Sequence, residues 1–235
     1  MSADPTPGDS AERVVRAAVE LLAAEGPSAI KARTVASASG LSTMAVYHHF
    51  GGIPELLRAV IDHGYQELDR AFAQLPVTDD PIADLFTMAL TTRDLAGKNP
   101  HLYDLMFGLS TRASYRPAAD VPPSGRSPEF RAAYQHLIGA CDRLVRSGRV
   151  GPADPDVVAA ALWSFVHGYI TLELAQHFVG FDDPVREVLL PTGVTFSIGL
   201  GDTRELAQAS HDDVLRRRAT SSKGRRRKAT TAARG

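Results

Sequence analysis

Residues 32–50 read ARTVASASGLSTMAVYHHF, and this stretch decides the fold. A short helix is expected over Lys31–Ala38, then a turn at Ser39-Gly40-Leu41 in which Gly40 is free to take positive φ. Ser42 is a good N-cap for a further short helix running to about His49. Two helices joined in this way need a small residue where they cross, which Ala36 supplies. They also need apolar residues that fasten both to a third helix, and Val35, Leu41 and Val46 take that role. Thr43, Met44, Tyr47 and His48 are then left pointing outward. In a helix-turn-helix the exposed N-terminal residues of the second helix meet base edges, while flanking groups hold phosphates. Thr43 is suited to hydrogen-bond a base or phosphate, and Met44 to pack on a thymine methyl. Tyr47 and His48 are suited to phosphate oxygens. Lys31, Arg33 and the Ser42 hydroxyl are the other backbone candidates. Double-stranded DNA is the expected partner.

The flanks agree. Val15, Ala18, Val19 and Leu22 recur at i, i+3, i+4, i+7, so a helix is expected from Ser10 as N-cap to Gly26-Pro27. Gly51-Gly52 ends the reading helix and Pro54 opens a fourth. The stripe Leu57, Val60, Ile61, Gly64, Leu68, Ala71, Leu75 carries that helix to about residue 75. Further helices are expected at about 81–97, 100–112, 128–147, 154–179 and 184–200, separated by Asn99-Pro100, the loop 116–127, Gly148–Pro155 and Gly180–Pro184. Period-2 alternation is missing, and only the β-branched Val194–Ile198 would suit a strand. The class is all-α: a leader over 1–9 expected to be disordered, a helix-turn-helix domain over 10–55, a helical regulatory and dimerisation domain over 56–201, and a basic tail over 202–235 expected to be disordered.

Composition sets the outer limits. At 44 % hydrophobic and 23 % charged residues, the 235-residue chain has enough apolar material for a real core. Cys141 is the sole cysteine, so no intramolecular disulfide is possible. With a polar, Pro-rich start and no apolar run near the roughly 20 residues of a membrane span, a cytoplasmic location and no membrane are expected. The formal net charge of −1 hides an asymmetry. Val214 to Gly235 holds nine of the 26 basic residues and no acidic one, leaving 17 basic against 27 acidic in the rest. The reading unit itself is balanced. Between Ala11 and Glu55, Arg13, Arg16, Lys31 and Arg33 face Glu12, Glu20, Glu25 and Glu55.

Residues 10–61 resemble the N-terminal domain of the TetR family of bacterial transcriptional regulators, through AAVELLAAEG, TVASASGLSTMAVYHHF and ELLRAVI. Tyr47 and His49 fall on signature positions of that family. Its usual lysine before the Glu-Leu-Leu of the fourth helix is replaced here by the run Gly51-Gly52-Ile53-Pro54-Glu55, so backbone amides at the helix start would have to meet the phosphate. The resemblance implies C-terminal helices that form a homodimer and a pocket for a small, hydrophobic effector. ALWSFVHGYITLELA (161–175) is similar to a subgroup with a Trp-x-x-x-His-Gly signature, which marks Trp163, His167 and Gly168. The residues proposed for the pocket are Phe86, Tyr103, Met106, Phe107, Tyr134, Trp163 and His167; at helical spacing such residues also suit a plain core. Small and apolar residues on the last two helices of the body, Val157, Ala161, Ser164, Gly168 and Leu172 with Leu190, Val194 and Ile198, are proposed as the dimer interface. The long fourth helix would couple pocket and DNA, with its end near Leu75 at the pocket. The expected function is a ligand-responsive homodimeric repressor on a palindromic operator.

Two other functions are compatible with parts of the sequence. A non-specific DNA-architectural protein would rely on the basic tail. A small helical enzyme would need chemistry that Glu173 and His177, at i and i+4, supply only in outline, since no nucleophile motif, phosphate loop or HExxH accompanies them. Adjacent His48 and His49 point about 100° apart on a helix and make a poor chelate. No cofactor and no metal is expected.

Overall fold

The computed structural model describes residues 7–107 and 127–232, with side-chain surroundings described to residue 220. Ten α-helices are found among them: α1 (Pro7–Glu25), α2 (Ala32–Ser39), α3 (Thr43–Phe50), α4 (Ile53–Ala73), α5 (Pro81–Lys98), α6 (Pro100–Phe107), α7 (Pro128–Arg146), α8 (Pro155–Leu174), α9 (Leu190–Gly199) and α10 (Arg204–Ala232). Most of the expected loop 116–127, and the last turn of the helix expected to reach residue 112, lie outside the described residues. No strand occurs among the described residues, and Val194–Ile198 is helical.

Several helices begin in the same way, for a physical reason. α1, α5, α6, α7 and α8 each start on a proline, whose preset φ suits the first helical turn and whose missing N–H would have had no partner there. Before four of these prolines stands a capping side chain. Asp80 Oδ1 accepts from the Ala83 amide at 3.1 Å, Asn99 Oδ1 from Leu102 at 3.0 Å, Ser127 Oγ from Phe130 at 3.1 Å and Asp154 Oδ1 from Asp156 at 2.9 Å. The break expected at Asn99-Pro100 is there: α5 ends at Lys98 and α6 starts at Pro100. By the same logic α1 opens at Pro7, three residues before the proposed cap Ser10.

The chain forms two compact units. The first comprises Met1–Ala73 and Thr92–Gln135, the second Gln74–Thr91 and His136–Gly235. The boundary differs from the expected one at residue 55. In the first unit, Val14, Ala18 and Leu22 of α1 pack with Val35, Val46, Leu56 and Val60, and the same core runs on through Tyr65, Leu102 and Met106. α4 and α6 therefore belong with the helix-turn-helix. The Tyr65 hydroxyl donates to the Met106 carbonyl at 2.7 Å, and the Tyr65 ring meets Phe107 and Phe130 edge-on. The buried stripe of α1 is Val14, Ala17, Ala18 and Leu22; of the expected residues Ala18 and Leu22 lie in it, while Val15 and Val19 are half-buried.

In the second unit the expected disordered tail proves to be α10 over most of its length. Ala207, Ser210, His211 and Val214 are buried at helical spacing, but only two of the four are apolar, which hides the period. Arg149 fixes the start of α10. Its guanidinium donates to Asp80 at 2.6 Å, to Asp202 at 2.9 Å and to Ser210 Oγ at 2.8 Å. Gly201, at φ 108, has no alternative: a Cβ there would lie 2.9 Å from the Gly151 nitrogen. The helix expected over 184–200 is split. A π-helical turn over Val185–Leu189 precedes α9, next to Pro191, which has no amide to continue an α-helical ladder. α8 ends at Leu174, five residues early, where Gln176 takes a left-handed φ of 63 and the His177 amide bonds the Leu172 carbonyl.

Two histidines of this unit are held neutral. Burial pushes His167 down to about 3, and burial likewise lowers His211, whose Nδ1 lies 2.8 Å from the Ala207 carbonyl. An imidazole held below its ordinary value binds fewer protons folded than unfolded. The stability it protects is present above about pH 6.5 and is lost as pH falls toward the folded value. Between pH 7 and about pH 5.5 His167 should cost about 1 kcal/mol, and His211 adds to the loss in the same direction. Thermal unfolding should show the midpoint dropping over that window, and His167→Gln should flatten the drop; a flat wild-type profile would contradict it.

Candidate nucleic-acid interface

The α2–turn–α3 element is held by its own backbone. Gly40 adopts φ 67, ψ 27, its amide bonds the Ser37 carbonyl at 3.2 Å, and the Leu41 amide bonds the Ala36 carbonyl at 3.0 Å. This is the paired 6→1, 5→2 ending of a helix with a left-handed residue, here satisfied by glycine. Arg13 of α1 adds a charged strap that the sequence reading missed. Its Nη2 donates to the Ser39 carbonyl at 2.7 Å, placing a cation at the negative end of α2. Ser42 caps α3 as expected, accepting from the Ala45 amide at 3.1 Å. Val35 and Val46 are fully buried and Ala36 nearly so, so α3 is anchored through one face.

The opposite face is open. Lys31, Arg33, Ser42, Thr43, Met44, Tyr47 and His48 are all exposed, Met44 to 75 % and Tyr47 to 50 %. Met44, Tyr47 and His48 with Ser42 and His49 line a shallow concavity along α3. His49 is half-buried, its ring edge-on to those of His48 and Phe50. At the start of α4 the amides are poorly placed to replace the missing lysine. Pro54 has none, and a Glu55 carboxylate oxygen stands 3.3 Å from where a Gly52 side chain would begin, beside its ion pair with Arg58 at 2.7 Å. Ile53 packs against the core instead of reaching outward.

The seven residues proposed for a pocket do not share one site. Tyr103, Met106 and Phe107 line a half-open cavity of about 250 Å3 in the first unit, together with residues of α1, α4 and the end of α5. Phe86 is buried 4.4 Å from the His211 ring, Tyr134 stacks on Phe130 at 5.3 Å, and Trp163 packs on His167 at 4.1 Å; none of these four lines the cavity. α4 meets the cavity at Gly64, Glu67 and Leu68, in mid-helix and not near Leu75. Gly64 is the residue whose place in the apolar stripe carried an unread signal: a Cβ there would lie 2.5 Å from Met106 Sδ.

The proposed interface residues separate by helix. Val157, Ala161, Ser164, Gly168 and Leu172 form one exposed stripe on α8. Leu190 and Val194 of α9 are corrected to core residues, 5 % and 2 % exposed, and Ile198 is half-buried; α9 presents Pro191, Thr192, Thr195 and Gly199 outward. α8 is also long and apolar enough to cross a membrane by length and composition, a test that an apolar core helix passes as well, and 28 % of that window is buried. Glu173 accepts from the Tyr169 hydroxyl at 3.1 Å, while His177 lies exposed past the end of α8, so the two do not form a helical pair.

Comparison with known proteins fits this architecture. The profile of bacterial regulatory proteins of the tetR family matches residues 14–60, and that of the tetracyclin repressor-like C-terminal domain matches residues 85–191. The second match spans Trp163, His167 and Gly168 without naming the subgroup they suggested. No curated protein matches the sequence. Among solved structures, a protein of unknown function from Rhodococcus sp. RHA1 superposes with a TM-score of 0.70 at 21 % identity, covering 86 % of this chain and 100 % of its own. RolR in complex with resorcinol gives 0.63 at 15 %, covering 87 % and 94 %. A tetR-family regulatory protein from Rhodococcus RHA1 gives 0.56 at 20 %, covering 83 % and 98 %. At these identities the superpositions speak to the fold, while the two profile matches span about two thirds of the sequence and both halves of the architecture. The chain belongs to the tetR family of bacterial regulatory proteins and is a DNA-binding transcription regulator, not an enzyme.

Proposed function

We propose that the protein is a homodimeric repressor of a palindromic operator, released by a small, mainly apolar effector. The observation that carries the DNA half is the two-faced α3: Val46 is fully buried, while Thr43, Met44, Tyr47 and His48 are exposed on a rigidly capped helix. Thr43 and Met44 stand at its N-terminal end, where base edges are read, and Tyr47 and His48 flank them for phosphates. Ser42 uses its oxygen as the cap acceptor, which leaves its hydroxyl proton to a phosphate.

Dimerisation is supported by the α8 stripe. A Cβ added at Gly168 would meet nothing within 4 Å, so packing inside the protomer does not require the glycine. It costs about 1 kcal/mol against alanine in mid-helix. Close approach of a second copy along Val157, Ala161, Ser164, Gly168 and Leu172 accounts for both facts. For the effector, RolR supplies a precedent in the same fold, since it binds the single-ring compound resorcinol. Release by tenfold needs only about 1.4 kcal/mol of coupling.

Selection from a random-sequence duplex library tests the reading. The expected product is a palindrome with half-sites about one helical turn apart. Equal binding of scrambled duplexes would instead favour an architectural role for the basic end of α10. That end has its own test. Arg216 and Arg217 pair with Asp213, and Val214 is core, so the informative truncation removes residues 221–235 with their six basic residues. If they touch DNA, the slope of log affinity against log salt falls by about 0.9 per lost phosphate contact. An unchanged slope assigns them no part in binding.

A further inference from the structure

We infer that the cavity of the first unit is the effector site, and that it takes a compact, neutral, largely apolar molecule of single-ring size. This rests on the ligand-relieved reading above and assigns the effector to the unit that holds the helix-turn-helix, at residues other than Trp163. The cavity holds about 250 Å3. An apolar cavity of about 150 Å3 already takes benzene, so a ring with one or two substituents fits. Leu68, Leu95, Leu102 and Phe107 give it apolar walls, Thr92 and Asn99 are part of the lining, and the charged lining residues Glu20, Glu67 and Lys98 are only half-buried or exposed. Burial raises the pKa of the Tyr103 hydroxyl, which lines the same space as a neutral phenol.

Its position suits control. Val19 of α1 lines it, and α1 is the helix against which Val35 and Val46 pack and from which Arg13 straps the turn. α6 is tied to α1 across the same space by Asn99, whose Nδ2 donates to the Val19 carbonyl at 3.4 Å, a long hydrogen bond. α4 contributes Gly64, which lets Met106 lie against its backbone. A molecule seated here acts directly on the packing of α1 against α4 and α6, which share one core with α2 and α3. No relay from the second unit is needed.

The four methionines make the test specific. In the full-length protein carrying 13C-methyl methionine, titration with toluene, phenol or cyclohexanol should shift the Met106 methyl saturably and leave Met88, in the second unit, in place. Ala23→Leu adds bulk at an exposed position on the rim, where folding is not at risk, and Gly64→Ala pushes Met106 into the space. Each should weaken binding at least tenfold. The inference is overturned if no probe gives a saturable Met106 shift up to its solubility limit, if saturable binding moves Met88 or quenches Trp163 with Met106 still, or if both variants bind like the wild type. Operator binding measured alongside separates the two readings. A compound that releases operator without moving Met106 upholds ligand relief and overturns the cavity. One that saturates Met106 without releasing operator overturns the assignment of the cavity as effector site and leaves ligand relief to another site.

Discussion

Replacing Arg149 by methionine is expected to lower the thermal unfolding midpoint by roughly 6–12 °C, the largest stability effect of any single change considered. The side chain is 15 % exposed and joins three segments of the second unit: Asp80 before α5, Asp202 before α10 and Ser210 within α10. Ser210 closes the circuit by donating to Asp80 at 2.6 Å. Methionine fills similar space but leaves the Asp202 carboxylate, 1 % exposed, with no cation. Breaking a buried pair from one side costs about 3–5 kcal/mol. The lower end applies, because Asp80 is 36 % exposed and water takes up part of its charge. About 3 kcal/mol at roughly 2–4 °C per kcal/mol gives the stated range. Adding Asp202→Asn removes the stranded charge, so the double variant should regain at least half the loss. A midpoint shift under about 2 °C for Arg149→Met alone would show that the network contributes little.

The helix-turn-helix was legible in the sequence because its signals are local and agree with one another. Gly40 sits at the left-handed position of the turn between α2 and α3, Ser42 at the cap, and Val35 and Val46 on the inner face, and each does so in the structure. Arg13 was not legible, since its partner is a backbone carbonyl 26 residues away. α10 was missed because its buried stripe includes Ser210 and His211, whose burial depends on Arg149, Asp80 and Phe86 far off in sequence. The register of α9 failed for a related reason. Both faces of that helix carry small or apolar residues, so periodicity could not say which of Val194 or Thr195 faces inward. The cavity was half legible. Tyr103, Met106 and Phe107 stood out as aromatic or soft residues, but the space itself comes from Gly64 and from how α1 meets α6. Aromatic content alone grouped Trp163 and Phe86 with them, and neither lines the cavity.

Tyr47→Phe should weaken operator binding on the order of 100-fold without changing its salt dependence. The argument is one of symmetry and charge. A hydrogen bond to a charged phosphate is worth about 1.5 kcal/mol at the low end. In a two-fold dimer every contact is lost twice, and about 3 kcal/mol is roughly two powers of ten. A hydroxyl displaces no counterion, so the slope of log affinity against log salt stays fixed. Lys31→Gln acts oppositely: if Lys31 holds a phosphate in each protomer, the slope falls by about 1.8, twice the value for one contact. Neither change should alter which sequence is preferred. Met44→Ala should, because its proposed contact is a base methyl: operator affinity falls while affinity for random duplex holds. With Arg13 engaged by the turn and Pro54 and Glu55 at the start of α4, few groups remain to hold phosphate, which is why each of these substitutions is expected to be felt. Should Tyr47→Phe bind operator within threefold of the wild type, or flatten the salt slope, the role given to the Tyr47 hydroxyl is wrong, and the grip on the backbone must come from elsewhere, the basic end of α10 being next to test.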